Sequence, residues 1–499
     1  MKNKTTQKCF TALFLLLLFF KAEAQFEQKA KIVSDQREDR AEFGTAVAIK
    51  NNYAIVGAPR ETIATGAVYL YEVNNEDWTL LQHITAPDGH QMAEFGGAVQ
   101  LTDSHVVIAS GRADTGGMLR TGALYVYEIA PDGSLGAPTK LVASDAVENG
   151  LLGMHPTTLA VQNTTIAVGS PGIDGWTGAV YLFELIEGVW TETQKLQSPT
   201  AQQFESFGIS VSIDSDQLVI GANEANNSRG EVHVYQKNTA GIWEHRQVLT
   251  PSLSTPNNYF GTGASIYGNT IAAGAYGGSP AGGGESVFIF EKNISGDWEE
   301  TQQLTGHTST EETHYGWDCK IQDQQLIVSA PHIYGLDKGE VYLYHRDNNG
   351  LWTAAYPLSQ LNNVERSFFG WNIALDHYQI VVGAPRDDFD ENDENEMMDA
   401  GAVFFFQDPN LSVTSPDEFI TSTTVYPVPA AQFVTINSTR EALHTIILYT
   451  PFGQVLQSVT VSNKPVHQLD LSGIRDGVYF ISVQTTDGKT TTHKIIKKK

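Results

Sequence analysis

The 499-residue chain has two cysteines, Cys9 and Cys319, and is short of positive charge: 31 Lys and Arg stand against 57 Asp and Glu, a formal charge of −26. Two cysteines exclude a disulfide scaffold, and so acidic a molecule excludes nucleic acid and anionic membrane surfaces as expected partners. Cations, basic proteins and neutral glycans stay open. Catalytic signatures are missing as well. There is no Gly-x-Ser-x-Gly, no His-Glu-x-x-His and no phosphate-binding glycine loop. Beyond the first two dozen residues no apolar run is long enough for a membrane helix, so no membrane insertion of the mature chain is expected.

The amino terminus reads as a signal peptide, residues 1–24. Lys2, Lys4 and Lys8 form a basic region, Phe10 to Phe20 the apolar stretch, and Ala22-Glu-Ala24 a small-x-small cleavage site that makes Gln25 the first mature residue. Cys9 precedes the apolar stretch, the wrong side for a lipid-modified cysteine. Cleavage leaves Cys319 without a partner.

A repeat dominates the rest. Seven Phe-Gly-like pairs occur at Phe43-Gly44, Phe95-Gly96, His155-Pro156, Phe207-Gly208, Phe260-Gly261, Tyr315-Gly316 and Phe369-Gly370. Fourteen residues after each comes a Gly-Ala-Pro-like triplet, beginning at Gly57, Ala109, Gly169, Gly221, Gly274, Ser329 and Gly383. In the third repeat this constant spacing selects His155-Pro156 over Leu152-Gly153. Each triplet leads to a strand-like run such as Gly66-Ala-Val-Tyr-Leu-Tyr71. A period of about fifty residues built only of short strands signals a propeller or solenoid.

Each repeat divides into four strands. Thr45–Ile49, Tyr53–Gly57, Ala67–Val73 and Trp78–Ile84 are those of the first, with a two-residue hairpin turn at Asn51-Asn52. The third strand is apolar on both faces and must be covered on both sides, as stacked blades would do. The first is rich in small residues, as expected near a crowded axis. The seventh repeat has no fourth strand after Phe406, and Phe26–Val33 resembles one. Pairing of that segment with the seventh repeat would close a ring and remove its open edges. The expected fold is all-β: a seven-bladed β-propeller over residues 25–407, closed by the N-terminal strand. A linker follows at 408–420, then a small C-terminal β-sandwich over 421–499, suggested by alternating runs at Thr445–Tyr449, Val455–Val461 and Val478–Val483.

These repeats resemble the FG-GAP family, the blades of integrin α-chain propellers. Many members carry an Asp-x-Asp-x-Asp-Gly calcium loop between the pair and the triplet. Here the spacing leaves room only for tight turns, and Asp214-Ser-Asp216 lacks the needed ligands. The final segment resembles the type A sorting domain of type IX secretion in Bacteroidetes. It does so through Val425-Tyr-Pro-Val-Pro429, Ile447-Leu-Tyr-Thr-Pro-Phe-Gly453, Leu469-Asp-Leu-Ser-Gly-Ile-Arg-Asp-Gly-Val-Tyr479 and His493-Lys-Ile-Ile-Lys-Lys498. That resemblance implies export through the periplasm to the outer cell surface or beyond, with the type IX machinery as partner.

The longer second-to-third-strand and repeat-to-repeat connections emerge on one face, where binding is expected. The longest, Arg386 to Ala400, is densely acidic. Asp388, Asp390, Asn392 and Asp393 are candidate Ca²⁺ ligands, though Asp393 stands where a calcium loop turns on Gly; the competing reading is a solvated acidic loop. His307, Glu311, Glu312 and His314 gather before the sixth repeat and could suit a transition metal or form a plain polar loop. Trp317 and Trp371 directly follow their Phe-Gly pairs, where other repeats have smaller residues. Their faces could stack on a sugar ring or a peptide side chain, or fill space about the axis. Asp318 and Lys320 replace the small Ala46 and Ala48, as a ligand contact or as a structural ion pair. The resulting expectation is a secreted or surface-displayed, non-catalytic propeller binding protein or glycan, possessing no certain cofactor, with Trp317, Trp371, Asp318 and His314 as candidate ligand contacts. The alternative is a polysaccharide-active enzyme using Asp318, Asp387, Asp388 and His314.

Overall fold

The computed structural model describes residues 26–407 and 423–498, apart from 75–76, 131–132, 279–281, 307–311, 334–337, 348, 362–363, 378, 427–429, 439–441, 451–454, 476 and 487–489. The signal peptide with its Ala24/Gln25 cleavage site, the linker 408–420, and His307 and Glu311 lie outside the described residues. The chain divides into two compact units that part near residue 412.

In the first unit the described residues form seven four-stranded antiparallel sheets. The first sheet runs Ala46–Lys50, Tyr53–Ala58, Ala67–Asn74 and Asp77–Ile84, each strand paired with the next. The third strand buries both faces, as its doubly apolar pattern requires: Val68, Tyr69, Leu70 and Tyr71 are all buried. Each face packs against a different sheet. Val68 and Leu70 join Phe95, Val106 and Ile108 of the second sheet. Tyr69 and Tyr71 join Val381, Val403 and Phe405 of the seventh. The same arrangement recurs, so seven apolar cores lie between successive sheets, the last joining the seventh sheet to the first. Each fully buried aromatic or aliphatic chain contributes roughly 1.5–3 kcal/mol.

Close contact explains the repeat motif. A Cβ on Gly57 would meet the carbonyl oxygen of Gly96 at 2.0 Å, and one on Gly383 would meet that of Gly44 at 2.0 Å. In the five triplets that begin with glycine, that glycine lies against the Phe-Gly glycine of the next sheet with no room for a side chain; Ala109 and Ser329 take its place in the second and sixth. The residue before each pair is held at left-handed φ, as at Glu42 (54°), Ser206 (54°), Tyr259 (54°) and Phe368 (56°). This backbone turns the loop into the inner strand.

The third repeat corrects the sequence reading. Leu152, not His155, makes the parallel bridge to Gly122 that Phe207 makes to Gly178, and Gly153 donates to the Gly169 carbonyl at 2.9 Å as Gly208 does to Gly221. Leu151 carries the left-handed φ of 60°. The pair is Leu152-Gly153. Three extra residues, Met154-His155-Pro156, are absorbed by a 3₁₀ turn at Pro156–Thr158. Constant spacing misled because an insertion in a loop costs little chain entropy.

The seventh sheet takes its outer strand from the amino terminus. Glu27–Ile32 runs antiparallel to Ala402–Gln407, with Ala30 opposite Phe405 and Ile32 opposite Val403. Among the outer strands, glutamines link neighbours. Gln247 donates to the Trp298 carbonyl at 2.8 Å and accepts from the Trp298 N–H at 2.9 Å. Gln194 does the same to Trp243 and Gln302 to Trp352.

The second unit has a three-stranded sheet (Thr423–Tyr426, Phe433–Ser438, Val466–Asp470) and a four-stranded one (Leu443–Tyr449, Val455–Lys464, Gly477–Thr485, Thr490–Lys497). Val434, Ile436 and Leu469 of the first share one core with Ile446, Leu448, Ile481 and Ile495 of the second.

Candidate functional site

Inner strands of all seven sheets line one cavity of about 300 Å³. At the end where the Phe-Gly pairs lie, rings from opposite sides meet across it. Trp317 and Trp371, from the sixth and seventh sheets, have centroids 5.0 Å apart. The Trp317 indole N–H donates to the Trp371 carbonyl at 3.0 Å. His155, carried in by the third-sheet insertion, lies 5.8 Å from Trp317 and 5.9 Å from Trp371. Its Nδ1 bonds Thr157 Oγ1 at 2.7 Å, and that hydroxyl donates to the Ile209 carbonyl at 2.8 Å. Burial pulls the imidazole down to about 4, so His155 is neutral at physiological pH.

The aromatic cluster extends outward. Tyr276 packs edge-on against Trp317 at 5.0 Å and stacks with His314 at 5.8 Å and Tyr259 at 5.1 Å. Phe368 stacks on Trp371 at 5.9 Å, with the exposed Arg386 guanidinium 4.5 Å above its ring. The sequence reading missed Tyr259, Tyr276 and Phe368. A signal was present: Tyr276 stands where most triplets have Pro, and Tyr259, His314 and Phe368 share the position before the pair.

His314 is buried, its backbone N–H bonded to Glu285 at 3.0 Å, and burial holds its imidazole below the ordinary value. Asp318 is fully buried behind the indoles. It accepts from Lys320 at 2.6 Å and from Asn372 Nδ2 at 3.0 Å, and Asn372 in turn accepts from the Val47 N–H at 2.8 Å. This relay links the sixth, seventh and first sheets. Cys319, also buried, has its thiol pushed up to about 12 by desolvation.

The acidic loop is arranged differently from a cation cage. Lys31 of the amino-terminal strand bonds Asp387 and Asp393, each at 2.9 Å. Asp390 accepts from the N–H groups of Asn392 and Glu394 in its own turn, and Asp388 from that of Asp399. Asn392 is exposed. The four candidate calcium ligands are thus not brought together. Among the described residues no group of three or more His, Cys, Asp or Glu side chains is placed to hold a metal ion. Asp387 is fully buried, and its carboxyl is raised above the ordinary range because desolvation outweighs Lys31. It shares no site with Asp318 or His314 that the structure displays.

Around the loop-bearing rim, apolar side chains stand exposed in adjoining pairs. The Met92 N–H donates to the Ile63 carbonyl, the Asn149 N–H (two residues after Val147) to that of Leu119, and the Ser206 N–H (two after Phe204) to that of Trp176. Ile63 is 66 % exposed, Leu119 54 % and Phe204 60 %; Met92, Val147 and Trp176 are exposed beside them, and Met398 continues the series from the seventh sheet. Ile63, Met92, Trp176 and Phe204 all sit at left-handed φ, strained for bulky residues.

The family comparisons agree with this repeat and with the second unit. The family model for the FG-GAP repeat matches residues 26–71, 78–127 and 190–235. That for the secretion system C-terminal sorting domain matches 424–498. The chain therefore carries FG-GAP repeats of a propeller-like fold and a type IX sorting domain, which directs it to the cell surface or outside. Among the described residues no helix is long and apolar enough to cross a membrane. No curated protein matches. Similar solved structures include a Lactobacillus plantarum protein (13 % identity, 64 % of this chain and 86 % of that one, TM-score 0.44) and the Pseudomonas aeruginosa periplasmic gluconolactonase PpgL (12 %, 81 % and 94 %, TM-score 0.43).

Proposed function

We propose that residues 25–407 form a seven-bladed propeller closed by the mature amino-terminal strand, followed by a C-terminal sandwich that serves export. On this reading the propeller is a non-catalytic binding module that takes a protein or glycan ligand on its loop-bearing face. The observation that carries it is the run of exposed apolar pairs, Ile63/Met92, Leu119/Val147 and Trp176/Phe204, on three successive sheets. Exposed apolar groups that adjoin one another mark interaction surfaces. Aliphatic side chains and methionine predominate, which favours a protein over a glycan, and the acidity of the chain favours a basic one.

The test is an array of extracellular proteins and glycans probed with the mature chain and with the Ile63→Ser, Leu119→Ser and Phe204→Ser variants. The reading expects a protein ligand whose binding each variant weakens about tenfold or more, as hot-spot loss does. Ligands indifferent to all three variants, or turnover of a glycan, would overturn it.

A further inference from the structure

The seven-stranded cavity is closed at one end only. His155, Trp317 and Trp371 bridge it at the loop-bearing end, and Pro156 and Thr157 form part of its lining. At the other end it is bordered by residues beside the hairpin turns, among them Lys50, Asp214, Tyr267, Gln322 and Asp376. Those groups are largely engaged. Lys50 pairs with Asp376, Asp214 accepts from Gly268 N–H and Gln162, and Gln322 accepts from His377 N–H. Lys50 offsets one of the two aspartates, so the rim keeps one net negative charge.

One level deeper, each sheet contributes one side chain to the wall, and the register identifies them. Lys320 lies opposite Ile327 in its hairpin as Ser212 lies opposite Val219, Ser265 opposite Ala272 and Ala374 opposite Val381. Lys320, Ser212 and Ser265 come from three consecutive sheets. Ala374 and Ala48 come from the two that follow. Gln100 and Ala160 of the second and third sheets complete the level, so Ala374, Ala48 and Ala160 present methyl groups, while Gln100 among them donates its amide to the Leu159 carbonyl at 3.1 Å. The Ser212 and Ser265 hydroxyls accept N–H bonds from Ile266 and Ile321, which leaves their own protons to donate. Lys320 spends one bond on Asp318 and keeps 29 % of its side chain exposed.

We propose that this blind axial cavity binds a small carboxylate, of about monosaccharide size or less, with its oxygens on Lys320, Ser212 and Ser265. Three donors, one of them cationic, form a recognition set for an oxyanion. Ala374, Ala48 and Ala160, with the amide-bonded Gln100 among them, face the carbon skeleton. A cavity of this size falls at the lower end of the range for ligand pockets. The site is independent of the exposed apolar pairs on the other face, so either can fail without the other.

Calorimetric titration of the full mature chain with glucuronate, acetate and glucose tests it. The proposal expects saturable binding of glucuronate or acetate, with glucose about tenfold weaker or absent. Lys320→Met should weaken carboxylate binding about tenfold or more. Because that change strips the buried Asp318 of its cation, Ala374→Leu serves beside it: the Lys320–Asp318 pair survives, the cavity is filled, and binding should be lost. No saturable binding of either carboxylate, glucose binding as well as glucuronate, or carboxylate binding that survives Ala374→Leu would each overturn the site.

Discussion

The two faces of the first unit are built from the same repeat and yet differ in what their side chains do. On the hairpin face the turns are tight, and inner-strand side chains reach sideways to the next sheet. Gln162 accepts from Ser215 N–H, Asp214 from Gly268, Gln322 from His377 and Asp376 from Asn51. Each bond staples two sheets, so variation there is restrained by stability. On the loop-bearing face the sheet-to-sheet bonds are mostly made by backbone, as between Met92 and Ile63 or Ser206 and Trp176. The exposed apolar side chains beside those bonds take no part in them, whereas Asp387 and Asp393 on the same face hold Lys31. The lesson is that a repeat can vary where its backbone already satisfies itself, and there apolar groups can be displayed at little cost to the fold.

Five variants break or sharpen that contrast. The largest effect is expected at the amino-terminal clasp. Lys31→Met leaves Asp387 buried without its cation and should cost about 3–5 kcal/mol, read as a fall in Tm. The raised Asp387 carboxyl adds a pH signature. Its folded value lies above its unfolded one, so its contribution to stability is present at low pH and is lost as pH rises through the folded value. The Lys31→Met variant should therefore lose stability more steeply than the parent as pH rises from about 4. An unchanged Tm would show that the clasp is idle.

The axial plug comes next. Trp371→Ala removes rings shared with Trp317, Phe368 and His155, and should cost about 2–4 kcal/mol in denaturant unfolding. His155 titrates in the opposite sense to Asp387. Its folded value, about 4, lies below the unfolded one, so the stability it lends above about pH 6.5 is lost as pH falls toward 4. His155→Gln should flatten that part of the stability-against-pH curve. A curve of unchanged slope would exclude the buried imidazole as its source.

Gln247→Ala breaks two bonds to Trp298 and should cost about 1–2 kcal/mol, the smaller loss expected of a half-exposed outer-strand link. Smallest of all, and opposite in sign, is Trp176→Gly on the loop-bearing face. Relief of the left-handed φ of 69° should leave stability unchanged or raise it by up to about 1 kcal/mol, while binding to that face falls. A clear loss of stability would mean that Trp176 supports the fold and that the two faces are less different than their bonds suggest.

Much of the first unit was legible because its constraints are local or periodic. Triplet spacing located the hairpins, doubly apolar runs located the third strands, and the missing strand after Phe406 pointed to Phe26–Val33. The candidate site was legible only in part. Trp317 and Trp371 stood out as bulky residues where others are small. His155 was misplaced: spacing made it a substitute for a packed Phe, whereas it is the tip of an insertion that reaches rings on far sheets. The acidic loop was conspicuous, but its clasp on Lys31 joins residues more than three hundred positions apart.

By itself the sequence determined the repeat, the strands and the sorting tail, because a glycine without room for a Cβ, an alternating strand and a short turn impose themselves over a few residues. The tertiary structure alone decided which side chains meet: His155 with the two indoles, Lys31 with Asp387, and Lys320, Ser212 and Ser265 on one wall. Those meetings depend on which sheet lies across the axis from which, and that follows from the packing of all seven sheets together.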